Sequence, residues 1–235
     1  MTLSLCVREP YRDGEDRRQY RFGLAVTTRL PGVGALCPFV SEHGAVAVQS
    51  HASDWLGERT LSYLADGLAI QDAVEALLSA DDDRRNRQVH GVDADGSVVF
   101  TGSECVEYAG HRDRGQFTVA GNLLADESVL DATVAAYESE AFGDAPLAER
   151  LVDALAAGVK AGGDRRESLT VGSAALKVVS TEEPAYRRFY NDLRVDASET
   201  PVTDLRTTYE AALLGYEQSL DEYADPAEVD SLRPD

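Results

Sequence analysis

Three possible nucleophiles alternate at the beginning of the chain. The sequence opens MTLSLC, so Thr2, Ser4 and Cys6 share one face of a predicted strand whose other face is apolar. An ordinary amphipathic strand explains this pattern without any chemistry. The chemical explanation is that removal of Met1 leaves Thr2 with a hydroxyl group and a free α-amine, which together can attack an amide without a separate base.

An N-terminal nucleophile also needs an oxyanion donor and a charge that tunes its amine. The ordinary pKa of an α-amine, about 7.7–8.0, suits a base that works near neutral pH. Asn122 in the stretch VAGNLL is the predicted oxyanion donor, because its amide can donate a hydrogen bond to developing negative charge. Asp164 in AGGDRR is a candidate for the tuning charge. Taken singly, Gly-Asn and Gly-Asp are also ordinary turn pairs.

Two arginines and a histidine complete the candidate site. Arg29 and Arg165 are candidates for tuning the amine or for holding a substrate carboxylate through paired hydrogen bonds. His51 is included as a third substrate-binding candidate. No metal is expected, because the four His and three Cys residues lack HExxH and CxxC spacing. No cofactor is expected either, because PGVGALC lacks the last glycine of a dinucleotide-binding motif and opens a strand.

The charge balance excludes polyanionic partners. The chain of 235 residues has 42 acidic and 22 basic residues, a formal net charge of −20. Such a surface repels nucleic acid and anionic membranes, so neither is an expected partner. A large negative charge with very little lysine is similar to proteins of salt-loving organisms, and we expect a halophilic protein. The beginning of the chain lacks the pattern of a signal peptide, which favours a cytoplasmic location.

The hydrophobic pattern predicts an α+β fold. The predicted order is four strands, two helices, strands, two helices, strands and one helix, which differs from the strict alternation of α/β proteins. Two of the helices are predicted near 127–141 and 146–160, and a long charged hairpin loop over Tyr11–Gln19. We expect a single domain over residues 1–222 and a flexible acidic tail over 223–235.

Nine short stretches, taken in sequence order, resemble one protein family. The stretches read MTLS, FGLAVTTR, VGALCPFV, GAVAVQS, TGSEC, AGH, GNLLA, AGGDRR and DLRVD, and the resemblance spans Thr2 to about Leu213. The family is that of domain of unknown function 1028, which is placed among the N-terminal nucleophile (Ntn) hydrolase-like folds. The chain departs from the family pattern in its long charged loop at Tyr11–Gln19 and at His51, where an aromatic residue is usual.

The resemblance implies a four-layer αββα sandwich and an amide hydrolase whose nucleophile is the first residue of the mature chain. Thr2 is then the candidate nucleophile, and its substrate would be an amide bond of a small molecule or a short peptide. The alternative is a non-catalytic protein on the same fold, which binds a small metabolite or serves as a scaffold with Met1 retained. A homo-oligomer is compatible with both functions.

The net charge predicts that salt stabilises the fold. Raising KCl from 0.1 M to 1 M shortens the Debye length from about 10 Å to about 3 Å, which weakens the repulsion among acidic side chains. We expect the melting temperature to rise steadily over this range, as measured by circular dichroism at constant pH. A flat or falling melting temperature would contradict the prediction.

Overall fold

Ten strands form two antiparallel sheets in the part of the chain that the structure describes. This computed structural model describes residues 1–141, 143–166, 168–182, 186–224 and 229–232. The strands are β1 (Thr2–Arg12), β2 (Arg18–Thr28), β3 (Pro38–Ser41), β4 (Gly44–Ser50), β5 (Arg87–Asp93), β6 (Ser97–Thr101), β7 (Gly110–Asp113), β8 (Phe117–Asn122), β9 (Gly172–Ser180) and β10 (Asp192–Ser198). The six-stranded sheet has the order β10-β9-β2-β1-β8-β7, and the four-stranded sheet has the order β3-β4-β5-β6.

The helices cover the outer faces of the two sheets. They are α1 (Asp54–Ala65), α2 (Ile70–Ser79), α3 (Ser128–Glu140), α4 (Leu147–Lys160), α5 (Pro201–Tyr223) and the short α6 (Val229–Leu232). Apolar residues of α1 and α2 form one core with the four-stranded sheet. Apolar residues of α3, α4 and α5 form another core with the six-stranded sheet. None of the described helices is both long and apolar enough to cross a membrane.

The strand β1 lies inside the protein, and its two faces meet different neighbours. Leu3 and Leu5 are fully buried in the core that includes α3, α4 and α5. Ser4 and Cys6 point the other way, toward the four-stranded sheet, where Cys6 packs in a third core with Ala45 and other small residues. The alternation read from MTLSLC is therefore the division between the two faces of a central strand.

The predicted α+β class is confirmed, and most predicted elements are present. The helices predicted near 127–141 and 146–160 correspond to α3 and α4. The hairpin loop is shorter than the predicted range Tyr11–Gln19, because β1 and β2 remain paired as far as Arg12 and Arg18. The Asp13 carboxylate closes the short turn between them by accepting hydrogen bonds from two backbone amides.

The predicted tail is only partly described. Tyr223 ends α5, and residues 225–228 and 233–235 lie outside the described residues. Between these gaps, Val229 and Leu232 pack against the core, and the Tyr216 hydroxyl donates a hydrogen bond to the Leu232 carbonyl over 3.1 Å. The flexibility of residues 223–235 stays a prediction.

Two helical glycines predict opposite effects of the same substitution. A Cβ atom at Gly158 would overlap the Thr133 hydroxyl and lie 2.6 Å from Leu3, whereas a Cβ at Gly215 meets nothing closer than 3.9 Å. We expect Gly158→Ala to lower the free energy of unfolding by about 1–3 kcal/mol through overpacking. Gly215→Ala should raise it by about 0.4–1 kcal/mol, because alanine favours the helix. Urea unfolding of both variants measures the difference, and equal effects would contradict the close packing at Gly158.

Candidate functional site

Thr2 begins β1 between two neighbouring strands. It is paired with Asn122 at the end of β8 and with Thr28 at the end of β2. Directly opposed residues of antiparallel strands carry their side chains on the same face, so these three polar side chains are neighbours. Thr2 is half-buried, whereas Ser4 and Cys6 on the same face are completely buried. Of the three possible nucleophiles, only Thr2 can be reached from solvent.

The residue before Thr2 is held in the protein interior by polar contacts. The Met1 side chain is 4% exposed, and its ammonium group lies 2.8 Å from the Asp164 carboxylate. Its carbonyl oxygen accepts a hydrogen bond from the Thr28 hydroxyl, and an Arg166 nitrogen lies 3.5 Å from the same oxygen. Both the amino group and the carbonyl oxygen of Met1 therefore have a side-chain partner.

Asp164 is ionised by its surroundings. Burial alone would raise the pKa of this carboxyl, but hydrogen bonds from Arg166 and from the Met1 ammonium outweigh it and lower the pKa to about 2. The backbone amide and the guanidinium of Arg166 bind Asp164 over 2.8 Å. The loop is fixed further by Gly163, whose positive φ of 55° suits glycine and whose carbonyl accepts from the Ala125 amide.

The buried amine has a depressed pKa. Desolvation lowers the pKa of the Met1 amine from 8.0 to about 6, against the opposing effect of Asp164. The positive charges of Arg166 and Arg29 contribute to this lower pKa. The pKa of this amine therefore lies below that of an ordinary terminal amine, which favours the unprotonated state that accepts a proton.

A pocket of about 450 Å³ opens beside Met1. Thr28, Arg29 and Asp164 contribute to its wall, together with the first turn of α5. We call it the terminal pocket. The Met1 side chain belongs both to this wall and to the adjoining core. Loss of Met1 would join the volume of its side chain to the terminal pocket, next to the beginning of β1.

Asn122 connects the terminus to a polar network between the sheets. Its Nδ2 atom donates to the Gln88 Oε1 atom over 3.1 Å, and Gln49 donates to the same oxygen over 2.8 Å. The Gln88 amide nitrogen faces the carbonyls of Gly110 and Gly121, which can only accept. These carbonyls fix the orientation of Gln88 and, through it, that of Gln49.

The same network contains a Ser–His pair that is not arranged as a nucleophile and its base. The Ser4 hydroxyl donates to the Gln49 Oε1 atom over 2.8 Å and lies 2.7 Å from the His90 Nε2 atom. Because the hydroxyl proton goes to Gln49, His90 must donate to Ser4 and accept from Thr118 at Nδ1. Burial lowers the pKa of His90 to about 3, which keeps the ring neutral. Ser4 and His90 are 0% exposed, so the pair is structural.

The structure brings some predicted site residues together and leaves others apart. Arg29 lines the terminal pocket and donates to the Arg166 carbonyl over 2.7 Å. Arg165 is exposed and does not line this pocket; its neighbour Arg166 binds Asp164 instead. His51 is also exposed and pairs with Asp83 at 3.0 Å. The sequence DRR contains a signal for Arg166, since a carboxylate commonly accepts from the amide two residues later.

The buried polar network was not expected from the sequence. Gln49, Gln88 and His90 come from β4 and β5, and no spacing in the sequence connects them with Ser4 or Asn122. Among the described residues, no group of three or more His, Cys, Asp or Glu side chains could hold a metal ion.

Comparisons with known proteins agree with this arrangement of elements. The chain belongs to a family of unknown function, DUF1028, whose pattern matches residues 13–205. It is similar to the crystal structure of protein SPO2555 from Silicibacter pomeroyi, a DUF1028 protein, with 30% sequence identity and a TM-score of 0.72. That match covers 90% of this chain and 88% of the other. A comparison with curated proteins finds no match.

The neutral His90 predicts a loss of stability in mild acid. Its pKa is about 3 in the folded protein and about 6.5 when unfolded. The unfolded chain therefore binds the extra proton between these values, and stability falls as pH drops below about 6.5. Between pH 6 and pH 5 we expect a loss approaching about 1.4 kcal/mol from this residue.

Two variants distinguish the contribution of His90 to the pH dependence of stability from that of the other titrating groups. His90→Gln should be less stable at pH 7 but should lose less stability between pH 7 and pH 5 than the parent. His43→Gln is the control, because His43 is exposed. Urea unfolding at several pH values measures both, and an unchanged pH dependence in His90→Gln would show that the ring is not held neutral.

Proposed function

We propose that the chain is a four-layer αββα sandwich of the Ntn-hydrolase-like type that hydrolyses an amide bond with Thr2 as nucleophile. The contacts of the helices and of the two facing sheets are compatible with that order of layers. The observation that carries the proposal is the environment of Met1, where a buried amine, a carboxylate and a pocket meet one residue from Thr2. Cleavage of the Met1–Thr2 bond would transfer the role of terminal amine to Thr2.

The proposed reaction passes through an acyl ester on Thr2. The Thr2 amine takes the hydroxyl proton, and Oγ1 attacks the carbonyl carbon of the substrate. The tetrahedral intermediate loses its nitrogen leaving group, which receives the proton from the amine. The same amine then deprotonates a water molecule that hydrolyses the ester and restores the hydroxyl group. One water is consumed, and a carboxylic acid and an amine are released.

The groups around Met1 supply what this reaction needs. Burial that lowers the pKa of the Met1 amine to about 6 would act in the same direction on an amine at Thr2. Asp164 would accept a hydrogen bond from the amine and orient its lone pair. Arg29 in the terminal pocket would bind a carboxylate of a small amide or short peptide substrate.

Asn122 is the proposed oxyanion donor. It lies opposite Thr2, and one of its two side-chain N–H groups donates to Gln88. That bond fixes the plane of the amide and leaves the second N–H group for the tetrahedral intermediate. A donor held in advance by a buried partner stabilises negative charge without reorganisation during the reaction.

A non-catalytic role is the alternative proposal. The observation that favours it is that the amine and the carbonyl of Met1 both have partners, as expected for a residue that stays in place. In that case the terminal pocket would bind a metabolite beside Met1. Intact mass and N-terminal sequencing of protein from its native host decide whether Met1 is present. Adaptation to high salt is a further proposal, which rests on the acidic composition, and a cytoplasmic location also stays a proposal.

The decisive comparison uses two forms that differ only at the terminus. In one, proteolysis of an N-terminal tag leaves Thr2 as the first residue; in the other, Met1 remains. With a panel of N-acyl amino acids and peptide amides, we expect hydrolysis by the first form only. A β-lactone electrophile should add its mass to Thr2 in that form, which tests the nucleophile without a known substrate. Equal activity or labelling of the two forms would contradict the proposal.

Substitutions assign the roles within the cleaved form. Thr2→Ala should abolish turnover and labelling, and Thr2→Ser should retain part of both. Asn122→Ala should reduce turnover by about 10²–10³ if it supplies one oxyanion donor. Thr207→Ala on the exposed face of α5 is the matched control and should be unchanged. Ser4 is unsuitable as a control, because its hydroxyl belongs to the buried network.

A further inference from the structure

A second pocket lies at the other end of β1 from Thr2. Its volume is about 880 Å³, within the range of small-molecule sites. Arg8 and Glu9 of β1 belong to its lining. Glu9 follows Met1 by eight residues of extended strand, which correspond to a distance of about 26 Å. It is therefore separate from the terminal pocket and independent of the function proposed there. We call it the arginine pocket.

The arginine pocket is positively charged in a strongly acidic protein. The net charge of the chain is −20, yet cations outnumber anions by two among the described residues that line this pocket. The cationic lining residues are Arg8, Arg21, Arg114, Arg150 and Arg188, and the anionic ones are Glu9, Glu138 and Asp144. A local excess of positive charge in a concave site attracts anions against the field of the remaining surface.

One carboxylate is shared by two of these arginines. Arg21 lies 3.1 Å from Glu9, and Arg150 contacts the other oxygen of the same carboxylate. Arg150 is almost completely buried and also donates to the carbonyls of Ala141 and Ala145, which holds the segment before α4 against the pocket. Arg21 and Arg150 therefore contact the two oxygens of a single carboxylate in this wall.

Two further arginines have no acidic partner in the part of the chain that the structure describes. The Arg8 guanidinium donates to the carbonyls of Asp93 and Gly115, which carry no net charge. Arg188 is half-buried, and within the described ranges it forms no ion pair. Guanidinium groups in such positions form their strongest hydrogen bonds with carboxylate or phosphate oxygens.

Aromatic rings form part of the uncharged lining. Phe117, Tyr137 and Tyr190 line the arginine pocket and are nearly buried, and the rings of Phe117 and Tyr137 are 4.7 Å apart. Aromatic rings of this kind bind the apolar body of a ligand, whereas the arginines bind its charge. We propose that the arginine pocket binds a small organic anion, in which a carboxylate or phosphate group is attached to an apolar ring or chain.

Calorimetric titration with four probes tests this proposal. The probes are phenyl phosphate, phenylacetate, inorganic phosphate and neutral benzyl alcohol. We expect at least one of the two organic anions to bind, and to bind more tightly than inorganic phosphate and benzyl alcohol. The comparison of phenyl phosphate with phenylacetate identifies the preferred anionic group. Binding of neither organic anion up to about 10 mM, or equal binding of inorganic phosphate, would overturn the proposal.

A neighbouring arginine provides a matched control. Arg188→Gln should weaken binding of the preferred anion about tenfold, the effect of losing one hydrogen bond to a charged group. Arg187→Gln makes the same change of charge at an exposed residue outside the pocket lining and should leave the affinity unchanged. Arg114→Gln is a second pocket variant, and thermal melting verifies that all three proteins are folded. Equal affinities of Arg188→Gln and Arg187→Gln would mean that the anion binds elsewhere.

Discussion

The ion pair between the Met1 ammonium and Asp164 is the interaction on which the arrangement around Thr2 depends. A charged group removed from water destabilises a protein by several kcal/mol unless a partner and hydrogen bonds replace the lost hydration. Asp164 is that partner here, and Arg166 in turn balances Asp164. The loop after α4 is therefore tied to the beginning of β1, and the terminal pocket forms between them.

The central position of β1 imposes a second requirement, because Ser4 on its inner face is fully enclosed between the sheets. Buried hydroxyl and imidazole groups destabilise the fold unless each donor and acceptor is matched. Ser4 and His90 satisfy each other, and their remaining groups are satisfied by Gln49 and Thr118. These bonds make Ser4 unavailable for chemistry and leave the half-buried Thr2 as the accessible polar residue of the same face.

Local patterns in the sequence predict β1, the helices α3 and α4 and the α+β class, because periodicity reports which face of an element is buried. Periodicity does not report which distant residue meets that face, so the 86-residue separation of Ser4 and His90 concealed their contact. Arg166, and not its neighbour Arg165, binds Asp164, and this difference depends on a turn geometry that two adjacent arginines in a sequence do not reveal. The short polar strand β7 (Gly110–Asp113) lacks an alternating pattern and was not predicted.

The amide of Gln88 has a mechanical consequence for the whole molecule. Its nitrogen bonds to Thr101 in the four-stranded sheet and to Gly110 and Gly121 in the six-stranded sheet, while its oxygen accepts from both sheets. A shift of one sheet past the other by one residue would break all of these directional bonds together. Gln88 therefore fixes the alignment of one sheet against the other. Through this alignment it also fixes the position of Asn122 relative to Thr2.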